Sequence, residues 1–114
     1  MRTRLLLIAT LVLGVACESS VESLPLEISV AASRTTAAPG DTVVFVATVQ
    51  GNSLLGLDAN FGDSTTAQFF AAGARTGKVT FQHAYTARGT FTAKITVTDA
   101  STAQKNASVQ VRVE

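Results

Sequence analysis

The chain has 114 residues, enough for one domain, with 9 basic and 8 acidic residues and a hydrophobic fraction of 46%. This nearly neutral balance argues against nucleic acid as a partner, because such proteins carry a strongly basic surface. The single cysteine excludes an internal disulfide, and one histidine with one cysteine cannot supply the three or four ligands of a zinc site.

The first 16 residues have the pattern of an export signal. Arg2 and Arg4 precede an apolar run over residues 5–13, and small residues follow it up to Ala16. The run is shorter than the about 20 residues that a stable transmembrane helix needs. We therefore expect residues 1–16 to be a signal peptide that is cleaved on export.

Cys17 follows this signal directly, and residues 13–17 read LGVAC. This segment resembles the lipobox of bacterial lipoproteins, although Gly14 stands where leucine is more usual. The resemblance implies that the Cys17 thiol carries a diacylglyceryl group and that the new amino terminus is acylated, for example with palmitate. The alternative is an ordinary secretory signal followed by an incidental cysteine.

Two or more acyl chains hold a protein stably on a membrane. The sequence thus predicts a lipid-anchored protein of the cell envelope, with its lipidated cysteine and a short polar tether in residues 17–25. Some bacteria retain lipoproteins at the inner membrane through an aspartate after the cysteine. Glu18 stands there instead, which favours the outer membrane.

Residues 26–114 are dominated by apolar residues that alternate with polar ones, the period of β-strands. Glycine-rich or aspartate-rich turns separate the apolar runs. We expect Leu55, Leu57, Ala59 and Phe61 to share the core-facing side of one strand. Six or seven such strands predict an all-β, immunoglobulin-like antiparallel β-sandwich of about seven strands.

Two segments of this region carry a family resemblance. Residues 58–64 read DANFGDS and resemble the W-x-F-G-D-G signature of PKD (polycystic-kidney-disease) domains. Residues 83–85 (HAY) and 89–99 (GTFTAKITVTD) resemble the family's H-x-Y…G-x-Y-x-V-x-L-x-V-x-D segment. The resemblance implies fold-building roles for the motif residues, which are Phe61, Gly62, Asp63, His83, Tyr85 and Gly89.

The chain departs from the family pattern at three places. Ala59 stands where the family often has tryptophan, and Ser64 replaces the final glycine of the signature. The stretch from Asp63 to His83 also exceeds the usual spacing. We expect this stretch to hold an extra edge strand and a flexible loop over residues 71–77.

Few residues in the sequence suggest chemistry. His83 has no serine on a recognisable nucleophile turn, so the sequence predicts no catalytic triad and no enzyme. Asp58, Asp63 and Asp99 are candidate calcium ligands, since calcium favours several oxygen donors. The alternative is that each caps a turn, and we expect no cofactor.

Phe69 and Phe70 are adjacent in a predicted strand, so their side chains point to opposite faces. One of them can enter the core, and the other must be covered either by the loop over residues 71–77 or by a partner. We hypothesise that one of the two lies on a partner-binding edge.

The resemblance to PKD domains implies a non-enzymatic module that binds protein or carbohydrate at the cell envelope. The alternative is a structural spacer or a subunit of an envelope complex. The sequence does not indicate an oligomeric state.

Overall fold

A computed structural model describes residues 23–114 of the chain. The predicted signal peptide, Cys17 and most of the tether lie outside the described residues. The regular secondary structure of the described part consists of β-strands. Their order is β1 Glu27–Ala32, β2 Thr36–Ala37, β3 Thr42–Gln50, β4 Leu54–Asn60, β5 Thr66–Phe70, β6 Thr76–Ala84, β7 Gly89–Asp99 and β8 Gln104–Val113.

These strands form the two packed sheets that the alternation predicts. One sheet has the order β1-β3-β6 and the other β2-β8-β7-β4-β5. All neighbours are antiparallel except β2, which pairs in parallel with the end of β8. The immunoglobulin-like sandwich predicted from the sequence is therefore confirmed. The two-residue strand β2 was not predicted, because two residues cannot show a period.

The core lies between the sheets and consists of the inward-facing residues of the long strands. Its largest fully buried side chains are Phe45, Leu54, Leu57, Tyr85 and Ile95. Burial of their apolar surface is the main force that holds the two sheets face to face. Within residues 23–114 no helix has the length and apolarity needed to cross a bilayer.

One prediction within β4 is wrong, namely that Leu55 faces the core. Leu54 and Leu57 are each only 1% exposed, whereas Leu55 is 49% exposed. The cause is a register shift against β7, where Leu54 lies opposite Asp99 but Gly56 lies opposite Thr98. The extra residue on β4 turns Leu55 outward and brings both Leu54 and Leu57 inward.

The sandwich has two ends that differ in their turns. We call proximal the end formed by the turns at residues 51–53, 71–75 and 100–103, because the described chain enters there. At Asn52, the side-chain Oδ1 accepts a hydrogen bond from the Leu24 amide at 2.8 Å. We call distal the opposite end, formed by the turns at residues 33–41, 61–65 and 85–88.

The bulge in β4 can be tested with two neighbouring leucines. We expect Leu57→Ala to lower the free energy of unfolding by about 2–5 kcal/mol, because it opens a cavity in the core. Leu55→Ala should cost only about 0.5 kcal/mol, as is usual for surface positions. Urea unfolding of residues 18–114 measures both. A larger loss for Leu55→Ala than for Leu57→Ala would contradict the described register.

Candidate functional site

The β4–β5 turn at the distal end contains the first family-like motif. The Phe61 amide donates a hydrogen bond to the Thr65 carbonyl across the turn at 3.1 Å. Gly62 has φ +88°, and a Cβ atom there would lie 2.6 Å from the Thr92 carbonyl oxygen. Only glycine tolerates both the positive φ and the close approach of this carbonyl, so Gly62 allows the turn to pack directly against β7.

Ser64, in the same turn, adopts φ +73°. This left-handed conformation is uncommon for residues with a side chain, and glycine adopts it at lower cost. The geometry explains why a glycine is usual at the position of the signature that Ser64 occupies.

Asp63 and His83 form a hydrogen-bonded pair that links this turn to β6. The Nε2 atom of His83 lies 2.7 Å from Oδ2 of Asp63, and both side chains are mostly buried. Thr65 donates its hydroxyl hydrogen to Oδ1 of Asp63, and its backbone amide donates to the same oxygen at 3.2 Å. Burial tends to raise the pKa of Asp63, but the hydrogen bonds from Thr65 and His83 outweigh it and hold the pKa below its ordinary value.

An aromatic stack connects this pair to the core. The His83 ring stacks on Phe61 with centroids 4.3 Å apart and an interplanar angle of 5°. Tyr85 meets His83 edge-on at 4.6 Å and stacks on Phe91 at 4.7 Å. The four rings thus join β6 of one sheet to β7 and the end of β4 in the other.

Tyr85 completes the connection through its hydroxyl group. Its ring is 1% exposed, and the hydroxyl donates a buried hydrogen bond of 2.8 Å to the Phe61 carbonyl oxygen. Burial, together with the nearby negative charge of Asp63, raises the pKa of Tyr85 to about 12. The hydroxyl therefore stays protonated and donates at any physiological pH.

This cluster does not have the geometry of a catalytic triad. Thr65 Oγ1 lies 3.2 Å from Nε2 of His83, the same nitrogen that Asp63 contacts. A triad needs the nucleophile and the carboxylate on opposite nitrogens of the ring. The arrangement instead cross-links a turn to two sheets.

Gly89, the last of the motif residues, is the first residue of β7 and has φ +142°.

The three candidate calcium ligands lie apart. Asp58, on the outer face of β4, accepts a hydrogen bond from Gln68 at 2.9 Å. Asp99 lies at the proximal end, where its Oδ1 accepts from the amide and hydroxyl of Ser101, and these bonds lower its pKa. Within residues 23–114 no three His, Cys, Asp or Glu side chains gather to hold a metal ion.

The strand β5 is the predicted extra edge strand, and it carries both phenylalanines at its proximal end. Phe69 is 45% exposed and Phe70 is 80% exposed, so the segment after β5 does not cover them. That segment is also shorter than predicted, since β6 already begins at Thr76. Phe69 shares the inward side with Leu57 opposite it, and Phe70 lies on the outer face opposite Gly56.

Leu55 and Gly56 belong to the same surface, although the sequence did not single them out. Leu55 is turned outward by the bulge and lines a shallow groove together with Phe70. A Cβ atom at Gly56 would lie 2.4 Å from the Phe69 carbonyl oxygen, so β5 can approach β4 this closely only at a glycine. A glycine within a strand was the available signal, since it often marks a bulge or a close approach.

Because the pKa of Asp63 is lowered in the folded state, the free energy of unfolding depends on pH in the acidic range. A carboxyl whose pKa is lower in the folded state contributes stability above its unfolded pKa, near 3.8, and this is lost as pH falls through the folded value. We expect Asp63→Asn to be less stable at neutral pH and to lose less stability on acidification. Urea unfolding of residues 18–114 between neutral pH and pH values below 3.8 measures this.

Asp99→Asn provides the comparison, because Asp99 also has a lowered pKa but lies at the other end. Each single variant should remove part of the acid dependence, and the double variant should remove both parts. An Asp63→Asn protein with the acid dependence of the wild type would contradict the role of the Asp63–His83 pair.

Solved structures with a similar fold include two PKD domains. The PKD domain of an M14-like peptidase from Thermoplasmatales archaeon SCGC AB-540-F20 aligns with a TM-score of 0.70 at 17% identity, over 81% of this chain and 98% of that chain. The PKD domain of the human VPS10 domain-containing receptor SorCS2 aligns with a TM-score of 0.55 at 16% identity, over 92% of this chain and 96% of that chain.

A third structure of similar fold is the CARDB domain of the PF1109 protein from Pyrococcus furiosus, solved in complex with di-metal ions. It aligns with a TM-score of 0.58 at 12% identity, over 83% of this chain and 97% of that chain. At such identities these likenesses show the fold alone. A comparison with curated protein sequences finds no significant match.

The family assignment comes from the sequence itself. The family model described as "PKD domain" matches residues 27–113, which span β1 to β8 and include the turn, the stack and both motif segments described above. This chain belongs to the PKD domain family.

Proposed function

We propose that this protein is a non-enzymatic, lipid-anchored component of the cell envelope whose PKD domain binds an extended segment of a partner protein along the edge of β5. PKD domains are β-sandwiches that often mediate protein or carbohydrate interactions. The observation that carries the proposal is that β5 is an uncharged edge strand with two exposed phenylalanines.

The backbone of β5 offers hydrogen-bonding groups to a partner. At its two ends Ala71 donates to the Leu55 carbonyl and Phe61 donates to the Thr65 carbonyl, so the odd-numbered residues of this ladder face β4. Because the pattern alternates along an antiparallel pair, Thr66, Gln68 and Phe70 direct their backbone groups away from the sheet. Such a row can pair with an added strand.

The side chains of β5 are also suited to a partner. Natural sheets guard their edges with charges or prolines, but β5 reads TAQFF and has neither. Phe69 borders an apolar cleft between the two sheets, lined by Leu54, Leu57 and Val79 among others. An added strand would place alternate side chains against this cleft and against Phe70 on the outer face.

Carbohydrate is the second binding class, since Phe70 lies beside polar side chains on the outer face of the sheet. We favour protein because Asp58 and Gln68 already bind each other at 2.9 Å, whereas the backbone row of β5 suits main-chain pairing. A structural spacer is the remaining alternative. A spacer needs no exposed apolar strip, so the exposure of Leu55, Phe69 and Phe70 favours a binding module.

Strand addition can be tested at Gln68 with a matched pair of variants. Gln68→Pro removes an outward amide without breaking a bond to β4, and Gln68→Ala removes the same side chain but keeps the amide. We expect Gln68→Pro to abolish capture of an envelope protein by cross-linking in cells, and Gln68→Ala to retain it.

Equal capture by Gln68→Pro and Gln68→Ala would contradict strand addition. Capture of glycans instead, on an array probed with residues 18–114, would favour the carbohydrate alternative. Urea unfolding of both variants checks that the domain stays folded.

Lipidation is tested at Cys17. We expect mass spectrometry of the mature N-terminal peptide to show an acylated Cys17, and we expect Cys17→Ser to lose both the acyl groups and metabolic labelling with palmitate. A mature protein with a free Cys17 thiol, or a processed Cys17→Ser protein that still resists carbonate extraction from membranes, would contradict the anchor.

A further inference from the structure

The proximal end of the sandwich carries an exposed apolar patch. Phe70 is 80% exposed and Leu55 is 49% exposed, and the two residues line the same shallow groove. Two hydrogen bonds join the start of β4 to the adjoining turn, from the Ala71 amide to the Leu55 carbonyl at 2.8 Å and from the Gly73 amide to the Leu54 carbonyl at 2.9 Å. We call Leu55, Phe70 and the alanines of residues 71–74 the proximal patch.

The turns at this end form one hydrogen-bonded platform. The amides of Gly51 and Leu54 donate to the carbonyls of Arg75 and Ala74, at 2.9 Å and 2.8 Å. The Ala100 amide donates to the Ser53 carbonyl at 2.8 Å, which adds the β7–β8 turn. The patch is therefore a fixed surface of the domain.

Charge is distributed unequally between the two ends. The proximal turns at residues 51–53, 71–75 and 100–103 read GNS, AAGAR and ASTA and contain one charged residue, Arg75. The distal turns contain four, namely Arg34, Asp41, Asp63 and Arg88. A typical soluble surface is about 25–35% charged, so the proximal turns are poor in charge.

The chain enters the sandwich at this same end. The Leu24 amide and the Ser23 hydroxyl both bind the side chain of Asn52, in the turn at residues 51–53. From Ser23 back to Cys17 there are only six residues, which can span at most about 20–22 Å. A lipid on Cys17 therefore keeps the proximal end close to the membrane surface.

We infer that the proximal patch rests on the lipid bilayer, with the Phe70 ring and the Leu55 side chain in the interfacial region. This inference rests on the proposed lipid anchor at Cys17. Aromatic and leucine side chains are favoured at that depth, where their apolar surface leaves water.

This placement orients β5 roughly perpendicular to the membrane plane. Phe70 lies at the bilayer, and Thr66, four residues away along the strand, lies about 13 Å above it. The outward backbone groups of Gln68 and Thr66 then remain open to a partner. The patch thus orients the β5 edge, with Phe70 in contact with lipid and the cleft beside Phe69 left to the partner.

Tryptophan fluorescence tests the placement, because the chain contains no tryptophan of its own. Phe70→Trp places a reporter in the patch. Thr66→Trp places a matched control on the same outer face of the same strand. Each full-length, lipidated variant is reconstituted into vesicles of phosphatidylcholine and phosphatidylglycerol, with and without a spin-labelled lipid that quenches near the headgroups. Iodide serves as the aqueous quencher.

For Phe70→Trp we expect a blue-shifted emission, quenching by the spin-labelled lipid and loss of iodide quenching relative to residues 18–114 carrying the same substitution. That soluble form contains both sheets and the whole core. For Thr66→Trp we expect no change between the soluble and the vesicle-bound forms.

Several results would overturn the inference. If the spin-labelled lipid quenches the two variants equally on vesicles that carry the protein, the contact of the patch with the bilayer is contradicted, but the lipid anchor is not. Iodide protection of Phe70→Trp already in the soluble form would point to a second copy of the chain. Protection in native membranes but not in pure lipid would point to a protein partner. Failure of the protein to float with vesicles would contradict the anchor, and the bilayer contact with it.

Discussion

The hydrogen bond from the Tyr85 hydroxyl to the Phe61 carbonyl is the interaction on which the described surfaces depend. It crosses from the end of β6 to the start of the β4–β5 turn, inside a stack of four rings. An unpaired carbonyl at this depth would cost about 1–3 kcal/mol. The bond therefore fixes where β4 ends and where β5 begins.

The position of β5 follows from that fixed turn. β5 is only five residues long and pairs with β4 along one side, so its own contacts are few. The Asp63–His83 pair at its distal end and the close approach at Gly56 at its proximal end hold it in register. An edge strand that is held at both ends presents ordered backbone groups and fixed phenylalanines.

The two ends of the sandwich differ in the residues that form them. The distal end concentrates the buried polar cluster and the charged turns, and its residues are those that define the family signature. The proximal end has turns that are poor in charge, the entry of the chain and the exposed apolar side chains. In the domain that we propose, the family motifs maintain the fold, while contacts are made at the opposite end and along β5.

The sequence was most informative where the period of two is undisturbed. The apolar alternation of β3, β7 and β8 predicted two sheets, and the motif residues from Phe61 to Tyr85 predicted the family. The bulge at Leu55 escaped prediction because one inserted residue reverses the faces without changing composition. The sequence singled out Phe69 and Phe70 but allowed one of them to enter the core. That both are exposed was not predicted, because the burial of a side chain depends on which strands lie nearby, and this is decided by the whole topology.

Amide hydrogen exchange of residues 18–114 measures whether β5 is an ordered strand with one free edge. We expect alternating protection, with slow exchange at Ala67, Phe69 and Ala71 and fast exchange at Gln68 and Phe70. Uniformly fast exchange would show that β5 is not held, and uniformly slow exchange would show that its edge is already covered. Either uniform pattern would rule out an ordered β5 with a free edge.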